Sequence, residues 1–252
     1  MKSIILSLFC ISLFVFSNAQ SGQVKTRSGT FYIAAGTHDA WFTKSDIHLK
    51  TNLLDIVLKK AKGTDDQFLH ATGGPIQYDY QLGYYFKKKN FGIEYNFDHV
   101  KYFAKQDQNV RTVGTVNGQK IDEVLPITTY VQNYEHTNGA NYVLLNFVKW
   151  KELTKAKNSN HILDLLLKGG AGVVLPRTNS TIMNNHRDDT YNIAGYLFAL
   201  EAGLRYNFAR HFFAESTFKG AYANYKRILI ANGHGSQHWV SGQLIFMVGY
   251  QF

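Results

Sequence analysis

The last fifteen residues of the chain, HWVSGQLIFMVGYQF from His238 to Phe252, alternate two kinds of side chain along an extended strand. Counting back from Phe252, one face carries the larger apolar residues Val240, Leu244, Phe246, Val248 and Tyr250. The other face carries the smaller or more polar set Ser241, Gln243, Ile245, Met247, Gly249 and Gln251. One face suits lipid and the other suits a narrow, polar interior, which is typical of a strand in a transmembrane β-barrel.

Seven earlier segments show the same period of two, which favours half-buried strands over helices. They are Thr30–His38, Ile76–Phe86, Phe91–Phe103, Gly139–Lys151, Ile162–Leu175, Tyr191–Phe208 and Phe212–Lys226. Short polar connections alternate with longer ones along the chain. This is the layout of an outer-membrane barrel, with short periplasmic turns and long outer loops. The sequence therefore predicts an all-β fold, a closed eight-stranded antiparallel transmembrane barrel.

The strands of a soluble β-sandwich or a lipocalin-like barrel also alternate apolar and polar residues. The distribution of charge distinguishes the predicted fold from both. Charged residues recur on the face that carries small residues, as with Glu201 and Arg205 beside Gly203. Bulky residues such as Phe198, Leu200 and Leu204 occupy the opposite face. A soluble barrel would place the bulky apolar set inside, so the pattern favours a barrel that faces lipid.

The beginning of the chain predicts an export signal. Lys2 precedes an apolar run from Ile4 to Phe16, and Ser17-Asn-Ala19 suits signal peptidase. The run is shorter than the ~20 residues of a membrane-spanning helix, the alternative interpretation. We expect residues 1–19 to be removed and residues 20–252 to form the barrel. The single cysteine, Cys10, excludes a disulfide framework and a cysteine-based zinc site.

Charged residues on the inward face form a predicted interior network. Its members are Asp79, Glu94, Asp98, Asp164, Lys168, Glu201, Arg205, Glu215 and Lys219. An eight-stranded barrel is barely wide enough for its own side chains, so these charges are expected to compensate one another as a plug. A narrow polar conduit or a proton relay is the alternative.

The long outer connections hold most of the histidines. His38, His48, His70, His136, His186, His234 and His238 lie in or beside these connections, and His234 and His238 have a spacing that metal ligands can use. Solvated loop histidines are the simpler interpretation, and the sequence assigns neither a metal nor a cofactor. In the first outer connection, Asp39–Pro75, the segment Leu53–Lys62 fits either a short helix or one strand of a hairpin that turns at Thr51-Asn52. Ile47 and Leu49 alternate with polar residues, which favours the hairpin.

A polar group is predicted on the outer wall. Counted in steps of two, His99 and Lys101 continue the lipid-facing series of Phe97. Asn141 belongs in the same way to the lipid-facing series of Val143 on the next predicted strand. Neighbouring strands should bring His99, Lys101 and Asn141 together near the outer rim, as an outward-facing patch at headgroup depth. An ordinary interfacial belt, in which polar side chains reach the headgroups, is the alternative.

Short motifs in six of the eight predicted strands resemble those of lipid A oxidase-type outer-membrane barrels. They are Pro75-Ile-Gln-Tyr78, Tyr95-Asn-Phe-Asp-His-Val-Lys101, Asn138-Gly-Ala-Asn141, Gly170-Ala-Gly-Val-Val-Leu-Pro176, Phe213-Ala-Glu215 and Gln237-His238. The resemblance implies oxidation of the proximal sugar of lipid A. It also implies His99, Lys101, Asn141, Glu215 and His238 as site positions. Asn96 stands where that family has an aspartate, and Leu53–Lys62 replaces its tryptophan-rich first loop.

Two functional hypotheses follow. The chain is an integral outer-membrane barrel that modifies lipid A or another outer-leaflet lipid, or it is a non-catalytic barrel that stabilises the membrane, binds a ligand or forms a narrow channel. Removal of Lys2 with the signal peptide lowers the formal net charge from +9 to +8, and this charge fits anionic lipopolysaccharide better than nucleic acid in an exported protein. The terminal aromatic Phe252 resembles the signal that the outer-membrane assembly machinery recognises, so this machinery is a second expected partner.

Overall fold

A computed structural model describes residues 29–65, 77–86, 89–155, 161–188 and 190–252 of the chain. The predicted signal peptide, residues 1–19, and His70 lie outside the described residues. In the described part, no helix has the length and apolar character to cross a membrane.

Eight antiparallel strands form a closed ring. In ring order they are β1 (Thr30–Phe42), β5 (Asp79–Tyr85), β6 (Phe91–Asp98), β11 (Tyr142–Lys155), β12 (Ile162–Val174), β15 (Gly195–Asn207), β16 (Phe212–Ile230) and β17 (Gly233–Gln251). The ring closes where β1 pairs with β17, from Tyr32 opposite Gln251 to Phe42 opposite Ser241. The predicted eight-stranded barrel is confirmed, and each strand overlaps its predicted segment.

The two faces of the barrel wall differ as the alternation predicts. Large apolar side chains point outward, and Leu200 and Phe147 keep 75% and 70% of their surface exposed. Side chains on the inward face are buried, as Glu201 and Arg205 show. Exposed leucine and phenylalanine are stable on a barrel wall when lipid surrounds it, whereas buried charges need partners inside.

The outer connections form further strands above the ring. They are β2 (Ser45–Thr51), β3 (Leu54–Ala61), β4 (Gly63–Thr64), β7 (Phe103–Ala104), β8 (Asn109–Val116), β9 (Gln119–Pro126), β10 (Val131–Glu135), β13 (Asn179–Ile182) and β14 (Asn185–Asp188). Strands β2, β3, β8 and β9 extend the barrel sheet outward from β17, in that order. The other five form a second sheet in the order β14, β13, β10, β7 and β4.

The first outer connection is a hairpin, not a helix. Strands β2 and β3 pair around Asn52 and Leu53, one residue later than the predicted turn. The hydroxyl of Thr51 accepts hydrogen bonds from the backbone N–H groups of Leu53 and Leu54, which closes the turn. Ile47, Leu49, Leu54, Ile56 and Leu58 are buried on one face of this hairpin, so the period of two in the sequence decided the structure.

Candidate functional site

The nine charged residues predicted for the interior all lie in the lumen of the barrel. Each keeps less than 5% of its surface exposed. Their placement follows from strand parity alone, because every second residue of a barrel strand faces inward. The contacts among them decide whether the lumen is filled or open.

Lys168 is the centre of the first cluster of charges. Its ammonium nitrogen lies 2.5 Å from Glu215 Oε1, 3.1 Å from Glu94 Oε2 and 3.2 Å from Glu201 Oε1. The guanidinium of Arg205 is the second cation, and its Nη2 lies 2.7 Å from Glu215 Oε2. The positive charges of Lys168 and Arg205 therefore compensate three carboxylates.

Lys219 and His38 form a second cluster towards the outer side. The ammonium group of Lys219 donates to Asp98 Oδ2 at 2.8 Å and lies 3.4 Å from Glu201 Oε2. His38 Nδ1 lies 2.8 Å from Asp79 Oδ1. Glu201 thus contacts both clusters and joins them into one network.

The expectation that His38 is a solvated outer histidine is wrong. Its side chain is 1% exposed and belongs to the lumen, because β1 continues past His38 to Phe42. The parity of Tyr32 and Ala34, which also face the lumen, could have revealed this from the sequence.

Aromatic side chains fill the lumen on both sides of the charges. On one side, the Arg205 guanidinium lies over the rings of Phe213 and Tyr32, at 4.1 and 4.4 Å from their centroids. On the outer side, the indole N–H of Trp239 donates to the hydroxyl of Tyr142 at 2.8 Å. This packing supports a plug over a conduit.

A filled lumen predicts the absence of conductance. Purified barrel in planar bilayers should show no steady single-channel current in neutral salt solution, because the paired charges and the rings leave no continuous aqueous path. A reproducible steady current that Lys168→Ala or Glu201→Ala alters in size would contradict the plug.

The structure brings His99 and Asn141 together on the outer wall. His99 Nδ1 lies 2.8 Å from Asn141 Oδ1. The imidazole also stacks on the ring of Tyr78, with centroids 4.4 Å apart and planes at 5°. Tyr78 stacks in turn on Phe97, which marks the lipid-facing side of β6. The contact between His99 and Asn141 therefore lies at the outer end of β6.

The expectation of an open, outward-facing patch is wrong for this group. His99, Lys101 and Asn141 keep only 8%, 1% and 3% of their surface exposed. The reason is tertiary, because loops above the strands cover the wall at this point. The N–H of Arg177, in the connection after β12, donates to Gly139 O at 2.8 Å, which holds that connection against the chain just before Asn141. His99 is the most accessible member of the group.

Glu215 and His238, implied by the family resemblance, do not join this group. Glu215 lies in the lumen with Lys168 and Arg205. His238 is exposed on β17, which β1 and β5 separate from β6 in the ring. The five implied positions are thus divided among three places.

His136 occupies an aromatic cluster above the lumen that sequence reasoning missed. Its ring packs among Tyr102, Tyr134, Tyr225 and Trp239, with centroids 5.2 to 6.2 Å away. His136 is fully buried, so its assignment to the solvated loop histidines is also wrong. Burial lowers the pKa of His136 to about 3. No local pattern signals this, since the rings come from distant segments.

The lowered pKa predicts acid sensitivity of the outer loops. The unfolded chain binds a proton at His136 near pH 6.5, whereas the folded chain does not until pH is far lower. The stability contribution of the neutral histidine is therefore present above pH 6.5 and is lost progressively as pH falls below it. His136→Phe should reduce the fall in thermal midpoint between pH 7.5 and pH 4.5. An identical fall in both proteins would contradict the assignment.

Among the described residues, no group of three or more histidine, cysteine, aspartate or glutamate side chains could hold a metal ion. His234 and His238 are both exposed, on an outer part of β17.

Comparisons with known proteins found likeness in structure only. No family model and no curated protein matches the chain. Among solved structures, AlkL in lipid bilayers is similar with a TM-score of 0.43 at 11% identity, covering 93% of this chain and 95% of its own. Neisserial surface protein A scores 0.40 at 11% identity, covering 88% and 97%. The outer membrane protease OmpT from Escherichia coli scores 0.39 at 10% identity, covering 92% and 100%.

The wall and lumen of this molecule define its class. A closed antiparallel ring with an apolar exterior and a charged, filled interior is a transmembrane β-barrel of the bacterial outer membrane. The long β-structured connections lie on one side of the ring, as the outer loops of this class do.

Proposed function

We propose that the barrel binds the headgroup of an outer-leaflet lipid, lipid A in particular, at the outer end of β6 and that His99 acts on it. The observation that carries this proposal is the hydrogen bond between His99 and Asn141 on the outer wall, directly above lipid-facing Phe97. A headgroup is the polar ligand that a membrane presents at this depth.

The bond to Asn141 supports a chemical role for His99. A histidine Nδ1–H that donates to the Asn141 carbonyl oxygen leaves Nε2 with its lone pair. An imidazole held in this tautomer is suited to take a proton from a hydroxyl near neutral pH. The Tyr78 ring fixes the plane of the imidazole from the membrane side.

Lys101 contributes positive charge near this position. Its side chain is buried, so it does not project to contact a phosphate. Its positive charge attracts anionic headgroups over a longer distance. Its backbone N–H donates to Gln77 Oε1 at 3.1 Å, which ties the segment after β6 to the chain before β5. The chain's net charge of +9 acts in the same direction.

His99→Ala should abolish modification of lipid A while the barrel still assembles. The measurement is mass spectrometry of lipid A from cells that express the wild-type protein, His99→Ala or no barrel. His186→Ala is the matched control, because His186 is exposed on β14. We expect a mass change with the wild type and with the control, but none with His99→Ala.

The same spectra separate catalysis from the alternative. An unchanged lipid A mass in wild-type cells would contradict catalysis and leave a non-catalytic, lipid-binding barrel. The alternative as a narrow channel has less support, because aromatic rings and ion pairs fill the lumen.

We also propose that Phe252 presents the chain to the outer-membrane assembly machinery. Its side chain is 66% exposed, and its backbone N–H donates to Phe31 O across the closing strand pair at 3.0 Å. Phe252→Ala should lower the amount of assembled barrel in outer membranes, measured by immunoblot, while the purified variant still refolds in detergent. Normal assembly of this variant would contradict the role.

A further inference from the structure

Strand β9 is the free edge of the sheet that extends from the barrel. It pairs with β8 on one side, and no strand in the described part of the chain pairs with its other side. Its side chains are mostly exposed, and Val124 keeps 68% of its surface accessible. An unpaired edge presents a row of backbone donors and acceptors that another strand can bind.

The backbone groups that face the free edge can be identified. Asn117 and Gly118 both have positive φ, 49° and 79°, as in a two-residue type I′ hairpin turn. The N–H of Asn117 donates to Leu53 O on the β3 side, and the N–H of Ile127 donates to Gln108 O on the β8 side. Backbone groups alternate in direction along a strand. The N–H and C=O groups of Lys120, Asp122 and Val124 therefore point outward.

We infer that a second copy of this chain binds at this edge, with the two β9 strands antiparallel and Ile121 opposite Ile121 of the second copy. Outward-facing residues must lie opposite outward-facing residues for the hydrogen bonds to form. In this register, Lys120 lies opposite Asp122 of the second copy, and the symmetric pair forms as well. Each Asp122 also contacts Arg111 of its own chain, so its carboxylate lies between two cations. A two-fold axis through Ile121 makes the contact self-complementary.

Other antiparallel registers of the same edge are unfavourable. A two-fold axis at Lys120, Asp122 or Glu123 places like charges directly opposite each other, which destabilises a strand pair. An axis at Val124 or Leu125 places Pro126 opposite an outward-facing residue, where proline lacks the required N–H. The charges that select one register also discourage pairing with unrelated strands.

Disulfide trapping in native outer membranes tests this register. Residue 121 sits opposite itself in a non-hydrogen-bonded pair, where the two backbones are closest, so Ile121→Cys should give a cross-linked dimer after mild oxidation. Val124→Cys is the matched control on the same strand, because residue 124 lies opposite Gly118 and far from its own copy. The parent chain, with Cys10 as its one cysteine, sets the background.

A second variant tests the charge pairing. Lys120→Glu in the Ile121→Cys background replaces both attractive pairs and should lower the cross-linked fraction roughly twofold to thirtyfold, the equivalent of two cross-strand pairs. Heat-modifiable migration in electrophoresis checks that this variant remains a folded barrel. Equal cross-linking of Ile121→Cys and Val124→Cys, no cross-linking of either, or no effect of Lys120→Glu would overturn the inference.

Discussion

Arg205→Ala is expected to lower the free energy of unfolding of the barrel by about 3–5 kcal/mol, the range for removing one partner of a buried ion pair. Arg205 is fully buried, and its Nε donates to Glu215 Oε2 at 2.9 Å. Without it, Lys168 alone would compensate Glu215 while it also serves Glu94 and Glu201. The loss of contact with the Tyr32 and Phe213 rings adds to the cost.

Urea unfolding in liposomes, followed by tryptophan fluorescence, measures this effect. Arg111→Ala is the matched control, because Arg111 also pairs with a carboxylate, that of Asp122, but both side chains are more than half exposed. Its effect should be small compared with that of Arg205→Ala, because water screens an exposed ion pair. The double change Arg205→Met with Glu215→Gln should recover part of the loss, since it removes both charges. Equal midpoints for Arg205→Ala and Arg111→Ala would argue against a compensated interior.

Leu200→Arg is expected to cost about 2–4 kcal/mol, the range for a basic residue on the lipid face near the bilayer midplane. Leu200 is 75% exposed on the outer face of β15. Its neighbours across the strands are Gly169 and Gly220, so no larger side chain on either adjacent strand shields it from lipid. A guanidinium at this position would have to leave water for hydrocarbon.

A second exposed position separates the effect of lipid from that of a large new side chain. Val124 is 68% exposed, nearly as much as Leu200, but lies on β9 outside the barrel ring. In liposomes that hold at most one barrel each, so that no β9 edge pairs with a second copy, Val124→Arg should change stability by less than about 0.5 kcal/mol, as is usual for surface substitutions in water. Equal effects of the two arginines in liposomes would contradict the assignment of the lipid face.

Local sequence pattern determined the barrel. Each of the eight strands shows its own period of two, and parity then assigns Glu201 inward and Leu200 outward without knowledge of any neighbour. The hairpin of β2 and β3 follows from the same alternation. The interior set of nine charges follows from this parity, and the same parity, counted on from Tyr32 and Ala34, places His38 in the lumen.

Tertiary structure decided what lies above the wall. Pairing of β4, β7, β10, β13 and β14 joins separate outer connections, and no local pattern encodes which connection meets which. The residues His99, Lys101 and Asn141 have the predicted parity, yet the loops that fold over them bury all three. His136 is neutral and buried because rings from distant segments, such as Tyr102 and Trp239, converge on it. Parity is a property of one strand, whereas burial in the outer loops depends on contacts between segments far apart in the chain.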